Sequence, residues 1–401
     1  MKILVVCQYY KPENFQINPI CEELVNRGHK VTVLTGLPNY PTGIVPEEYK
    51  HGHRDEYING VHVLRCNEVS RKKGALNLAL NYLSFWQSAS RKIRKLEKDF
   101  DIVLVYQLSP ILMALPGIKY AKKYKKPLFL YCCDLWPESM KNYVKSEKNP
   151  LFKIIKKVSR NVYRRCDLIA CQSSSFPNYI GEVHGVDDEK MCYLPAFADD
   201  AYLSEDFSSD NGIVDFVFLG NLGISQNLIC ILDSIKLIKD TPGFCVHFVG
   251  DGTCLEEMKE YVKENELENV VKFYGRRPVD EMPDFYKLSD VCMVSLKADN
   301  YVGFTLPSKV QGYMAAGKPV LGMIEGSAED VINESGCGIC VKPGDVKGFA
   351  NAMKEFTERK DFSEYSKKSR DYFMAHFRKD VFMNALETKL KNLVEEKNVN
   401  I

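Results

Sequence analysis

The sharpest chemical pattern lies late in the chain, at Thr305-Leu306-Pro307-Ser308-Lys309-Val310. Pro307 suits a helix start, and Ser308 and Lys309 then fall in the first turn. A lysine there puts a full positive charge beside the positive end of the helix dipole, which suits a diphosphate. The small residues Ala315, Ala316 and Gly317 permit close packing on a sheet. Two glycine turns sit upstream. Gly220-Asn221-Leu222-Gly223 follows one apolar run and precedes a helical stretch, and Gly250-Asp251-Gly252 follows the next run. Glycine lets backbone N–H groups approach phosphate oxygens closely. Each turn alone is common in α/β proteins, and a lysine on a helix is often merely solvated. The three together point to a phosphate-bearing ligand.

The first half offers Asp134, at the end of the buried run Pro127–Cys133 and before Leu135-Trp136-Pro137-Glu138. It can point into a site at the strand end or cap the helix that follows. Asn39-Tyr40-Pro41-Thr42-Gly43 is a second turn after a strand, which can contact an acceptor or simply reverse the chain. No GxGxxG follows the first strand, where the chain reads Cys7–Gln16, and no GxxxxGK[ST] occurs. The DxD at Asp99-Phe100-Asp101 precedes a buried strand, and a charged helix end explains it better than a metal site. The CxxC at Cys337–Cys340 has no partner pair at zinc-finger spacing and reads as structural.

The elements that must position these residues alternate. Apolar runs at KILVVC, KVTVLTG, VHVLR, DIVLVYQ, PLFLYC and DLIACQS read as buried strands, separated by helical stretches such as 19–27, 75–98 and 111–125. A second alternation runs VDFVFLG, a helix near 226–239, FCVHFVGDG, VVKFYG, VCMVSL, PVLGMI and GICVKP. Strands apolar on both faces, alternating with helices, predict parallel doubly wound sheets. The expected organisation is an N-terminal Rossmann-like domain at 1–195, a turn-rich linker at 196–212 and a C-terminal Rossmann-like domain at 213–375. A final helix at 376–401 is expected to return to the first domain. Two such domains would face one another across a cleft, with ligands at the carboxyl ends of the strands.

Lys and Arg outnumber Asp and Glu over residues 1–190, and acidic residues dominate the remainder, so the net charge of +1 hides an asymmetry. A basic first half suggests an anionic partner. Leu76, Leu80 and Leu83 fall on one helical face with Tyr82, Phe85 and Trp86 nearby, flanked by Arg71-Lys72-Lys73 and Arg91–Lys95. A second stripe, Phe152, Ile155 and Val162, runs among Lys153, Lys156, Lys157, Arg160 and Arg164. Both stripes predict contact with an anionic membrane surface. The basic stretches interleave with an ordinary α/β pattern, which argues against nucleic acid. The apolar start lacks a cleavage pattern, and no run reaches the ~20 residues of a membrane span. The expected location is cytoplasmic, peripheral to the inner face of the membrane.

With these residues in view, the whole chain resembles a GT-B glycosyltransferase of family 4, in the branch of bacterial O-antigen and capsule N-acetyl-aminosugar transferases of the L-fucosamine type. The matching stretches are residues 27–43, 134–139, 218–227, 249–252, 274–278 and 306–320. The resemblance implies retaining, metal-independent transfer from a UDP-sugar, with no cofactor, to a lipid-linked or growing glycan. It assigns Asp134 and Lys309 to the chemistry. Gly220, Asn221, Gly223, Gly250, Asp251, Gly252, Arg276, Leu306, Pro307, Ser308 and Lys309 go to the donor, with Glu325 and Glu329 as further donor contacts. Asn14, Phe15, Gln16, Asn39 and Tyr40 go to the acceptor. Three departures stand out. The paired glutamates of the wider family would fall near Phe304 and Gly312, neither acidic. The usual Arg and Lys are absent from Asn221–Asn227, and Glu13-Asn14-Phe15-Gln16 replaces a glycine pair. A UDP-N-acetylglucosamine 2-epimerase of the same fold and a non-catalytic nucleotide-sugar-binding protein are the alternatives.

Overall fold

The computed structural model describes every residue except 73, 143, 145, 209–210, 298–304, 360 and 400–401, with Ala75 and Asn142 described by their backbone alone. The chain forms two compact units, Met1–Leu194 with Met383–Ile401, and Pro195–Phe382.

The first unit carries an eight-stranded sheet. Its strands are β1 Lys2–Val6, β2 Lys30–Thr35, β3 Asp55–Ile58, β4 Val61–Arg65, β5 Ile102–Gln107, β6 Leu128–Cys132, β7 Leu168–Cys171 and β8 Met191–Tyr193. The order is β3-β4-β2-β1-β5-β6-β7-β8, parallel throughout except for β3 against β4. Central strands β1, β5 and β6 are almost wholly buried, which is why they read as continuous apolar runs. The final helix, Lys379–Val399, contributes its residues from Met383 onward to this unit. Glu387 on that helix bonds both Arg27 (3.0 Å) and His29 (3.1 Å).

The second unit carries six parallel strands: β9 Val214–Leu219, β10 Phe244–Val249, β11 Val271–Gly275, β12 Val291–Ser295, β13 Val320–Met323 and β14 Gly338–Val341, in the order β11-β10-β9-β12-β13-β14. The order reverses between β9 and β12, the position where doubly wound sheets open a crevice at their carboxyl ends. Residues 196–212 belong by contact to this unit: Ala196 and Phe197 are buried, and Phe207 packs with Tyr286, Val217 and Leu219 in the core. The backbone there is turn-rich, but its aromatic side chains are not free.

None of the cysteines is in a disulfide, and most are buried as small core residues, Cys337 among them. Asp99 forms an ion pair with Lys2 Nζ (2.7 Å), and Asp101 accepts the Lys2 backbone N–H (2.6 Å), so both anchor the start of β1. Among the described residues, one group of metal-ligand types clusters: Asp215, Cys245 and His247, buried on β9 and β10. Asp215 and His247 are bonded to each other at 2.8 Å, and Asn211 holds the other Asp215 oxygen at 2.7 Å.

Candidate active site

In the second unit, the turns after β9, β10 and β11 are stitched backbone to backbone. Gly220 N donates to Val249 O, Leu222 N to Asp251 O, Cys254 N to Leu222 O and Gly250 N to Gly275 O, each at 2.9 Å. So close an approach needs glycine. Gly220 and Gly250 have φ of +128° and +149°, and a Cβ on Gly250 would collide with the Gly220 carbonyl. Asn221 folds its amide over Gly223 and Gly252, where an added Cβ would meet it at 2.6 and 2.8 Å. A cavity of about 430 Å³ opens here, lined by Gly220, Asn221, Gly250, Asp251, Gly252 and the exposed Arg276, among others.

Lys309 reaches the same turn from the neighbouring strand's loop. Pro307 stands just before the helix Ser308–Ala315, with Ser308 exposed and Lys309 in the first turn. The first amides of such a helix have no carbonyl one turn behind them and aim at whatever anion sits there. Lys309 Nζ lies against Gly220, such that a Cβ on Gly220 would be 3.5 Å away. It donates to Gln226 Oε1 at 2.7 Å and sits 3.8 Å from the Phe218 ring centroid. A desolvated cation over an aromatic face is worth about 2 kcal/mol. Burial alone pulls the Lys309 amine down to about 7. Gln226 and Phe218 went unremarked in the sequence, because a neutral amide and a core phenylalanine carry no pattern of their own.

The other donor candidates divide. Leu306 is a buried core residue that anchors the loop into the helix. Glu325 lies half-buried in the turn between β13 and the helix Ser327–Ser335, at the carboxyl edge of the sheet. Glu329 is held by Lys342 at 3.1 Å. Phe304, where one family glutamate would fall, lies outside the described residues. Gly312 packs against Tyr286, and a side chain there would meet the tyrosine hydroxyl.

In the first unit, Asp134 follows β6 and does not cap a helix. Its Oδ2 accepts from the hydroxyl of Ser109 at 2.7 Å, and the Ser109 Oγ accepts the Trp136 indole N–H at 3.1 Å. A serine hydroxyl has one proton, so accepting from Trp136 directs that proton at Asp134. Burial pushes the Asp134 carboxyl up, and the bonds from Ser109 oppose it. Gln107, the last residue of β5, holds the Asp134 carbonyl at 2.9 Å.

The acceptor candidates follow β1 and β2. Asn39 is buried and committed: it donates to Leu37 O and Glu68 and accepts from the Arg71 N–H. Glu13 explains the departure from glycine in the first loop, since its carboxylate accepts the backbone N–H groups of Asn39 and Tyr40 at 2.9 and 2.6 Å. Tyr9, Phe15 and Tyr40 cluster with ring centroids 5.1–5.6 Å apart, and the Arg71 guanidinium lies 5.3 Å from the Tyr40 ring. Tyr40 is 44% exposed. Asn14 is exposed and Gln16 half-buried at the start of the helix Ile17–Asn26. Such a ring cluster can stack a sugar, while Asn39 serves the loop.

The two apolar stripes part company. Leu76, Leu80 and Leu83 are 75%, 44% and 39% exposed along the helix Ala75–Lys92. Phe85, expected at a lipid boundary, is instead fully buried. On the helix Pro150–Tyr163, Phe152 and Val162 are buried in the protein core, so that stripe docks the helix and cannot face lipid. Its exposed apolar residues are Leu151 and Ile154. Lys73 lies outside the described residues. Among the described residues no helix is long and apolar enough to cross a membrane.

Residues 17–202 match the family described as Glycosyltransferase Family 4, and residues 204–372 match Glycosyl transferases group 1. The probable glycosyltransferase WbjE of Pseudomonas aeruginosa is 25% identical over a match covering 62% of this chain and 64% of that protein, just under two thirds of its length. The putative colanic acid biosynthesis glycosyl transferase WcaI of Escherichia coli (strain K12) is 24% identical over 88% of this chain and 92% of its own. In structure, Anabaena Alr3699/HepE in complex with UDP superposes with a TM-score of 0.70 at 15% identity, over 98% of this chain and 100% of that one. At that identity the likeness establishes the fold: two Rossmann-like domains of the GT-B kind.

Proposed function

We propose that this chain, a glycosyltransferase whose halves are a family 4 domain and a group 1 domain, moves a sugar from a UDP-linked donor to a lipid-linked or growing glycan of a bacterial surface polysaccharide. Transfer is retaining and needs no bound metal, and the sugar is an N-acetylhexosamine of the aminosugar branch. The observation that carries the reading is the convergence of Lys309, the interlocked glycine turns and the Arg276-lined cavity at one sheet edge. The donor's base takes the Arg276 side of the cavity. The diphosphate takes the Gly220 turn, Ser308, Lys309 and the helix amides. A leaving UDP gathers negative charge in the transition state, and preorganised amides with a lysine stabilise that charge. Asp134 is assigned to the donor sugar, Glu325 to a sugar hydroxyl, and the Tyr9–Phe15–Tyr40 rings to the acceptor. The relative named for colanic acid biosynthesis and the structure holding UDP support this choice of pathway and donor.

The protein works in the cytoplasm at the inner membrane face, with Leu76, Leu80 and Leu83 entering the headgroup region beside Arg91 and Lys92. The test is acceptor-dependent UDP release by purified protein in the presence of EDTA, with the donor's C2 configuration followed in parallel. UDP release that requires an acceptor supports transfer. Acceptor-independent epimer formation replaces it with an isomerase.

A further inference from the structure

Lys309 is held in an unusual way for a residue meant to meet phosphate. Its amine sits over Phe218, and its single hydrogen bond among the described residues goes to the neutral side chain of Gln226, 83 residues earlier in the chain. Once protonated, an ammonium has three protons to place, so two are then available to a ligand. We propose that Gln226 is a positioning residue for Lys309: its side-chain oxygen holds the amine over Phe218 and yields it to a phosphate oxygen of the donor. The inference rests on reading this edge as the donor-diphosphate site.

Among the described residues, the charged and titratable groups on the surrounding elements have other partners or make no bond to Lys309. Asp251 bonds the Gly252 N–H, and the Tyr313 hydroxyl bonds the Leu219 and Met293 backbone. Lys297 touches the Ile224–Gln226 turn through its backbone N–H to Ser225 O. Arg276 and Glu325 make no bond to Lys309 among the described residues. Among the described residues burial is therefore unopposed, and the amine is held down to about 7. A diphosphate arriving beside it favours the ammonium. Donor capture then takes up a proton from the solvent, and a neutral glutamine at position 226 is what keeps this coupling. A carboxylate there would fix the charge beforehand.

The test measures UDP affinity by titration calorimetry at pH 7.5 and 8.5, in buffers of differing ionisation enthalpy. UDP phosphates are essentially ionised over that range, their last pKa being about 6. In the native protein the Kd rises about eightfold between the two pH values, with roughly 0.8 proton taken up at pH 7.5. Gln226→Glu abolishes both the slope and the uptake and weakens binding. Gln226→Leu removes the acceptor without supplying charge and keeps the slope, so a merely damaged site does not mimic the glutamate result. A pH-independent native Kd, a slope that survives in Gln226→Glu, or one lost in Gln226→Leu overturns the inference while leaving the donor site standing. A native protein that binds no UDP removes the donor reading itself.

Discussion

The α-carbon of Gly250 packs against the carbonyl of Gly220 so closely that a single methyl would occupy the oxygen's place. The two turns are held by Gly220 N to Val249 O, and they form the wall of the cavity assigned to the donor. Gly250 cannot be replaced by widening a pocket, because backbone meets backbone there; a Cβ on Gly220 would meet the Lys309 side chain, and it is the φ of +128° that calls for glycine at that position. Gly250→Ala also forces a side chain into φ +149°. The expected cost is about 1–3 kcal/mol, read as a lowered urea midpoint at unchanged m-value, together with loss of UDP binding.

Lys309→Ala removes the lysine whose amine lies against Gly220. If its charge is used mainly in the transition state, kcat should fall by about 10²–10³ with little change in the circular-dichroism melt. Full activity in the variant would remove Lys309 from the machinery.

Ser109→Ala takes the directed hydroxyl from Asp134. Removing a donor to a carboxylate disfavours its charged form, so the Asp134 pKa should rise further and the acid limb of the pH–rate profile should move to higher pH. Trp136→Phe frees the serine proton from its constraint and should move the limb in the same direction by less. An unmoved limb in both would show that Asp134 does not set it.

How much of this was legible in the sequence can be seen from particular elements. β1, β5, β9 and β10 are buried on both faces, so the chain spells them as unbroken apolar runs. β3 reads Asp-Glu-Tyr-Ile with alternate residues exposed on an edge, and β8 has three residues. Both escape a search for buried runs. Gly220, Gly250 and Lys309 stood out because strand–glycine–helix junctions are local. Ser109 lies 25 residues from Asp134, and Gln226 lies 83 from Lys309, so only the fold brings either pair together. The stripes around Leu76 and Phe152 look alike as sequence, because a helix docked on a sheet and a helix lying on lipid share the same periodicity. Burial separates them.

His247, on β10, supplies a pH-dependent term of its own. Burial disfavours its charged form, but the bonds to Asp215 and Cys245 outweigh burial and lift the imidazole to about 9. The folded pKa lies above the unfolded value of about 6.5. The contribution is therefore complete below pH 6.5 and lost as pH rises through 9. It is on the order of 3 kcal/mol. Thermal melts from pH 6 to 10 should show a fall in the native protein that is much reduced in Asp215→Asn. Parallel curves would contradict the pairing.

Leu76→Ser with Leu80→Ser should leave the melting temperature within a degree or so, since both side chains are exposed. Sedimentation with vesicles containing anionic phospholipid should lose most of the bound protein. Unchanged co-sedimentation would exclude this helix as the membrane contact.

The most direct test of the central claim is a thermal-shift panel of nucleotide sugars in the presence of EDTA, repeated with Lys309→Ala. A ligand bound only by the folded state raises the melting temperature by mass action. A UDP-sugar should stabilise the native protein, the chelator should make no difference, and the shift should shrink in the variant. No shift with any UDP-sugar at millimolar concentration, or one that the chelator abolishes, would contradict the central claim.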